Sequence, residues 1–387
     1  MSAACRANAV RPRLVDFARR IRGCVAATLL CVSTAALAHH GMGLYDRSKP
    51  VELHGVIRGI DFVNPHSYLR FDAVGADGKT IAMHCEMRAA TLLRRSGWTP
   101  EMFVVGAQAT VYGFAHRDDP TACYLEDIKI GDAPRMNRND QFEVTSKTDL
   151  SNRPARLPSG EPNISGDWAQ EQWVIARGAG GLVPKHLVAD VESGKVAVKD
   201  IPPSGWGPRP VTFTARGKAE ADAFRMWSPE DNPRLRCRPT SIILDWIFDG
   251  PVNRITQEKD RIVIDYGLFS FERVIYMNMA AHPKSITPSY AGHSIGHWEG
   301  DVLVVDTVGF EPGLLAAPVK HSDQLHVVER FKLDPKAWTL TRDYVAEDPV
   351  YFTDKYVGSD TVLVADVPYE PHPCNELTPE FRPSDKP

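Results

Sequence analysis

Arg254-Ile-Thr-Gln-Glu-Lys-Asp-Arg-Ile-Val-Ile-Asp-Tyr-Gly267 alternates in side-chain character on either side of Lys259-Asp260. Residues 254–258 and 261–267 each follow the two-residue rhythm of a half-buried strand, and the pair between them suits a tight hairpin connection. The rhythm recurs at 271–277, 302–307, 324–333, 338–344 and 350–357, while only 218–226 reads as helix. Short strands with so few helices predict an all-β unit over 164–387, an antiparallel barrel or sandwich. A barrel of eight to ten strands would enclose room for a small ligand.

Residues 136–163 lose this periodicity and gather Asn, Asp, Arg, Pro, Ser and Gly, which predicts a linker. Ahead of it, 39–135 reads as strand, strand, strand, helix, strand, strand, at 51–62, 67–73, 79–85, 88–96, 108–113 and 124–130. Ala76-Asp77-Gly78 supplies the turn between the second and third strands. Five strands with one helix between the third and fourth resemble an OB-fold barrel.

The first 38 residues read as a secretory leader. Arg11, Arg13, Arg19, Arg20 and Arg22 precede an uncharged run that closes on Ala36-Leu37-Ala38. That run is shorter than the roughly 20 residues of a membrane span. The expectation is a periplasmic or secreted protein with no membrane span. Its loss leaves 39 basic against 48 acidic residues, a net charge of −9 with His neutral. Such a surface disfavours nucleic acid as a partner. Four cysteines follow the leader, and an oxidising compartment suggests two disulfides. Cys85 with Cys123 and Cys237 with Cys374 is one of three possible pairings.

Titratable residues concentrate between His293 and Arg330: His293-Ser-Ile-Gly-His-Trp-Glu-Gly-Asp301, then Asp306, then His321-Ser-Asp-Gln-Leu-His-Val-Val-Glu-Arg330. In a strand, His293, Ile295, His297 and Glu299 share one face, and Ser294, Gly296 and Trp298 the other. If neighbouring strands bring them together inside the barrel, His297 and His326 are the acid and base candidates. Asp306 or Glu299 would orient them, and Arg330 would hold an anion. His293, Asp301, His321, Asp323, Arg273, Tyr276 and Trp298 are the candidate ligand-binding residues around them. The plain alternative is that these residues cap strand ends and turns. With no nucleophile elbow and no phosphate loop, the chemistry indicated is acid-base or metal-assisted, of hydrolase, lyase or isomerase type, on a small, largely apolar molecule.

A second candidate lies at the mature N-terminus, where His39, His40 and His66 present nitrogen ligands suited to copper or zinc. A third reading makes both barrels an envelope scaffold.

Two stretches carry family resemblances. His39-His40, Asn64-Pro65-His66 and Gly97-Trp98 resemble an exported bacterial family of unknown function over roughly the first hundred mature residues. Gly292 to Asp301, followed by Val305-Asp306-Thr307, resembles a Gly-His-Ser-x-Gly-x-Trp-Glu-Gly-Asp segment of exported proteins that also lack an assigned function. Gly166-Asp167-Trp168 is similar to the Gly-x-Trp that opens lipocalin-type barrels, which implies the same barrel architecture.

Overall fold

The computed structural model describes residues 45–371 apart from 65, 76, 145–151, 177–181, 202–206, 227, 229 and 249. The leader, His39, His40 and Cys374 therefore lie outside the described residues.

The N-terminal unit is built from β1 (Tyr45–Asp61), β2 (Tyr68–Val74), β3 (Thr80–Glu86), β4 (Gln108–His116), β5 (Ala122–Ile130) and the short β6 (Met136–Asn137), with a helix at Ala90–Arg95. β1 pairs with β2 and β4, β2 with β3, and β4 with β5; β3 then meets β5 in parallel. The first five strands thus close on themselves in the order 1-2-3-5-4, the order expected of an OB-type barrel. The Cys85–Cys123 disulfide ties that closing pair, joining residues already opposite in register. Ile57, Leu69, Phe71, Leu93, Trp98, Val111 and Leu125 fill the core. Gly97 ends the helix at φ +77°, which turns Trp98 inward between Phe103 and Phe142. Phe142 belongs to the segment read as linker, so part of that segment packs as a strap on the first barrel.

The second unit closes nine strands: β7 (Gly166–Ala169), β10 (Val252–Gln257), β11 (Arg261–Tyr266), β12 (Phe271–Tyr276), β13 (His293–Glu299), β14 (Val302–Val308), β17 (His326–Asp334), β18 (Thr339–Glu347) and β19 (Tyr356–Val364). Two hairpins stand apart, β8 (Trp173–Ile175) with β9 (Leu182–Pro184) and β15 (Gly313–Ala316) with β16 (Val319–His321). The β10–β11 turn falls at Lys259-Asp260 as expected, with Glu258 N–H donating to Arg261 O at 2.8 Å. β7 pairs with both β10 and β19 and so seals the barrel. Its Trp168 points into the core, fully buried, and donates Nε1–H to Ile164 O.

Three expectations are corrected. The strand read at 350–357 is instead a loop, because the Asp348 carboxylate takes the N–H groups of Ser322 and Val350 and holds the chain in a turn; the strand begins at Tyr356. The barrel is not wholly antiparallel, since β12 and β13 pair in parallel. Parallel neighbours need a connection of about a dozen residues or more, and residues 277–292 supply it by crossing the outer wall. Gly309 allows this segment to press close: it sits at φ +74°, and a Cβ there would lie 2.5 Å from Ile286 Cγ2.

The interior, thirdly, is filled by side chains among the described residues. Residues 241–248 enter it, and Ile242, Ile243, Trp246 and Ile247 pack among Ile264, Tyr266, Ile275, Phe331 and Leu340. Inside lies a buried charge network. Arg273 bonds the Glu329 carboxylate, Ser294 Oγ at 2.9 Å and Thr307 Oγ1 at 2.8 Å. Arg342 bonds Glu329 at 3.2 Å, Asp360 at 2.6 Å and the carbonyls of Ile242 and Ile243, both at 2.9 Å. The network ties the inserted segment to the wall. Burial alone would pull the Arg342 guanidinium down, but Asp360 and Glu329 reverse this and hold it above its ordinary value.

Candidate functional site

Alternation correctly groups His293, Ile295, His297 and Glu299 on one face of β13, yet that face is the outside of the barrel. Ser294 and Gly296 on the opposite face are buried. On β14 and β17 the same division holds: Leu303, Val305, Thr307, Val327, Glu329 and Phe331 face in, while Asp306, His326 and Arg330 face out. Inside, the Arg273 guanidinium demands Ser294, Thr307 and Glu329, which fixes the orientation. The expected meeting of His297, Asp306, His326 and Arg330 within the barrel is therefore corrected to the outer wall, where they divide into two groups.

The first group centres on Asp306. Its Oδ1 lies 3.0 Å from His282 Nε2 and 3.1 Å from His326 Nε2, and His282 Nδ1 lies 2.8 Å from His293 Nδ1. His282 comes from the crossover, whereas β13, β14 and β17 contribute His293, Asp306 and His326. With a neutral His282, one set of tautomers satisfies every contact, because the carboxylate only accepts. His282 and His326 donate Nε2–H to Asp306. His282 Nδ1 is then a bare acceptor, and His293 donates Nδ1–H to it. That leaves His293 Nε2 as a lone pair at the end of a hydrogen-bonded chain. Burial first, and His282 second, hold the His293 imidazole below its usual range, so it is neutral at pH 7. Tyr276 stacks on it with centroids 5.1 Å apart.

Beside His293, between the crossover and β12, lies a cavity of about 320 Å³ whose lining includes Glu272, Tyr276, Ser285, Thr287, Ser289 and His293. A neutral imidazole bordering a cavity, with a carboxylate behind it, is the arrangement of a general base.

The second group is more exposed. Glu299 accepts from Arg330 at 2.8 Å and contacts His297 Nε2 at 3.2 Å, with all three side chains about half exposed or more. Such pairs contribute little energy. The guanidinium first, then the imidazole, lowers the Glu299 carboxyl. His297 and Trp298 border a separate cavity of about 580 Å³ against Leu157 and Ser159 of the linker strap.

Other candidates disperse. Asp301 pairs with Arg156 at the surface, and Asp323 is exposed. His321 is buried, its Nδ1 on Ser322 O and its ring edge-on to Phe310; burial lowers its imidazole. Arg273 serves the interior network. Glu329, the neighbour of Arg330, is fully buried rather than solvated.

In the first barrel, His66 Nδ1 bonds the buried Glu86 carboxylate, whose other oxygen accepts from Tyr45 Oη at 2.9 Å. Among the described residues, no group of three or more His, Cys, Asp or Glu is arranged to hold a metal ion. Cys237 is disulfide-bonded.

Sequence reasoning missed His282, because no periodicity marks the segment that carries it and only the parallel crossover returns it to β13. Glu329 was within reach: it alternates with Val327 and Phe331 on an apolar face. No helix among the described residues is long and apolar enough to cross a membrane. No curated protein and no solved structure matches the chain. The N-terminal part is nonetheless similar to a family of unknown function (DUF6152), whose model matches residues 26–124.

Proposed function

We propose that the protein is exported and binds a small molecule on the outer wall of the larger barrel, in the cavity beneath residues 277–292, with His293 acting on it as an acid-base group. The observation that carries this reading is the chain His293–His282–Asp306–His326 ending at that cavity. A proton taken at His293 Nε2 can be balanced by passing the Nδ1 proton to His282, and the Asp306 carboxylate stabilises the positive charge that results. Proton abstraction, hydrolysis and elimination all use such a group. Export rests on the leader composition, and amino-terminal sequencing of the mature protein should begin at His39.

The test is a ligand-observed NMR screen with parallel recording of the imidazole nitrogens. Compounds that bind should shift His293 and lose at least tenfold in affinity in His293→Ala. Asp306→Asn should move the His282 and His326 imidazole nitrogen resonances together, since both rings lose the carboxylate they share. Binding that leaves His293 unmoved, or His282 and His326 nitrogen resonances in Asp306→Asn identical to the parent, would overturn the reading.

A second reading, copper or zinc binding through His39, His40 and His66, is favoured by the His66–Glu86 hydrogen bond. A carboxylate on one ring nitrogen is the outer partner that a metal-ligating imidazole usually carries. Mature protein titrated with Cu(II) should take up one equivalent and lose it when an extra residue precedes His39. An uptake indifferent both to that extension and to His66→Ala would dismiss it.

A further inference from the structure

We infer that the ligand of the crossover cavity is a small organic cation, an ammonium or amine carrying a hydroxyl or similar polar group; this rests on the binding reading above and specifies its chemistry. The cavity lining carries one carboxylate, Glu272, and neither Lys nor Arg. Glu272 makes no ion pair among the described residues. Arg261, whose guanidinium feels the Glu272 charge, is engaged by Glu258 through contacts of 2.7 and 3.2 Å.

The strand beneath adds to the negative field. Glu272 stands opposite Asp265 in the β11–β12 register, and like charges directly opposite each other disfavour a sheet. The Asp265 carboxyl is raised, by burial first and then by Glu272. Arg254 stands opposite Asp265 and partly offsets its charge, but the same guanidinium forks onto a third carboxylate, Asp167, at 2.7 and 2.9 Å. A cation seated at Glu272 would relieve the repulsion, whereas an anion would add to it.

The remaining lining suits the same guest. Tyr276 is 37 % exposed and stacked on His293, so it brings an aromatic ring to the cavity that Glu272 also lines, the partner a desolvated ammonium prefers after an anion. Ser285 and Thr287 supply hydroxyls for a polar substituent, and Val274 and Ile286 a small apolar wall. His293, neutral and with a bare Nε2, does not repel the cation, as an imidazolium would. The volume of about 320 Å³ lies at the small end of ligand sites.

The test compares choline with its uncharged isostere 3,3-dimethylbutan-1-ol, and with acetate, on the mature protein by calorimetry and His293 imidazole shifts. Choline is expected to bind at least tenfold more tightly than the isostere. Glu272→Gln, a surface substitution, should collapse that ratio to near unity, and added salt should weaken choline alone. Equal or tighter binding of the isostere, binding of acetate at His293, or a ratio unchanged in Glu272→Gln would overturn the inference. Fragments that shift His293 while choline does not would remove the cation class and leave the binding reading standing. Silence of every compound at His293 would remove both.

Discussion

Glu329→Ala should destabilise the larger barrel by about 3–5 kcal/mol, a large part of the stability of an ordinary domain. Glu329 is the acceptor between Arg273 and Arg342, and all three side chains are fully buried. Arg342 keeps Asp360 when Glu329 is removed, but Arg273 keeps only uncharged hydroxyls, those of Ser294, Thr307 and Tyr266. A buried guanidinium without a counter-charge bears most of the desolvation penalty unrelieved. Urea unfolding of the variant would give the loss directly. The companion substitution Arg273→Met/Glu329→Leu should recover most of it, because replacing a buried ion pair with apolar groups of similar size is often neutral. If Glu329→Ala costs less than 1 kcal/mol, water reaches the network and the interior is not as dry as its burial implies.

Trp246→Ala is expected to cost about 3–5 kcal/mol and to open a void inside the barrel. Trp246 is fully buried and meets the ring edges of Tyr266 and Phe331 at centroid distances of 6.0 and 6.1 Å. It is the largest side chain of the inserted segment, so its loss separates two consequences. Stability falls through lost contacts, and the apolar space left behind should admit a guest such as benzene, which the parent interior has no room for. Thermal unfolding with and without benzene would show a rise in midpoint for the variant alone. A parent protein stabilised equally by benzene would mean that the barrel already holds an accessible chamber, contrary to the packing described.

These two substitutions bear on stability, while the site on the outer wall should be nearly indifferent to its own. Asp306, His326 and Glu272 are at least partly exposed, and exposed polar substitutions usually change stability by no more than about 0.5 kcal/mol. A loss of binding in Glu272→Gln at constant thermal midpoint would therefore report on recognition and not on folding.

The β10–β11 hairpin and the run of strands in the first barrel were legible in the sequence, because turn residues and a period of two are local; Cys85 with Cys123 was one of three pairings the sequence allowed, and the five-strand closure rested on the resemblance to an OB-fold. The same period placed His293, His297 and Glu299 together on one face of β13. It was silent on whether that face turns in or out. On β14 the ambiguity is plain: Val302, Val304 and Val308 accompany Asp306 outside, and Leu303, Val305 and Thr307 lie inside, so both faces read as apolar. What settles the choice is tertiary. The guanidiniums of Arg273 and Arg342 need Glu329, Asp360, Ser294 and Thr307 around them once they are cut off from water, and the inserted residues 241–248 take the volume a ligand would have occupied. The sequence by itself determined which residues share a face along each strand. Only closure of the sheet decided which of them meet solvent, and only the parallel crossover brought His282 to Asp306, since that contact depends on a segment with no repeating pattern to read.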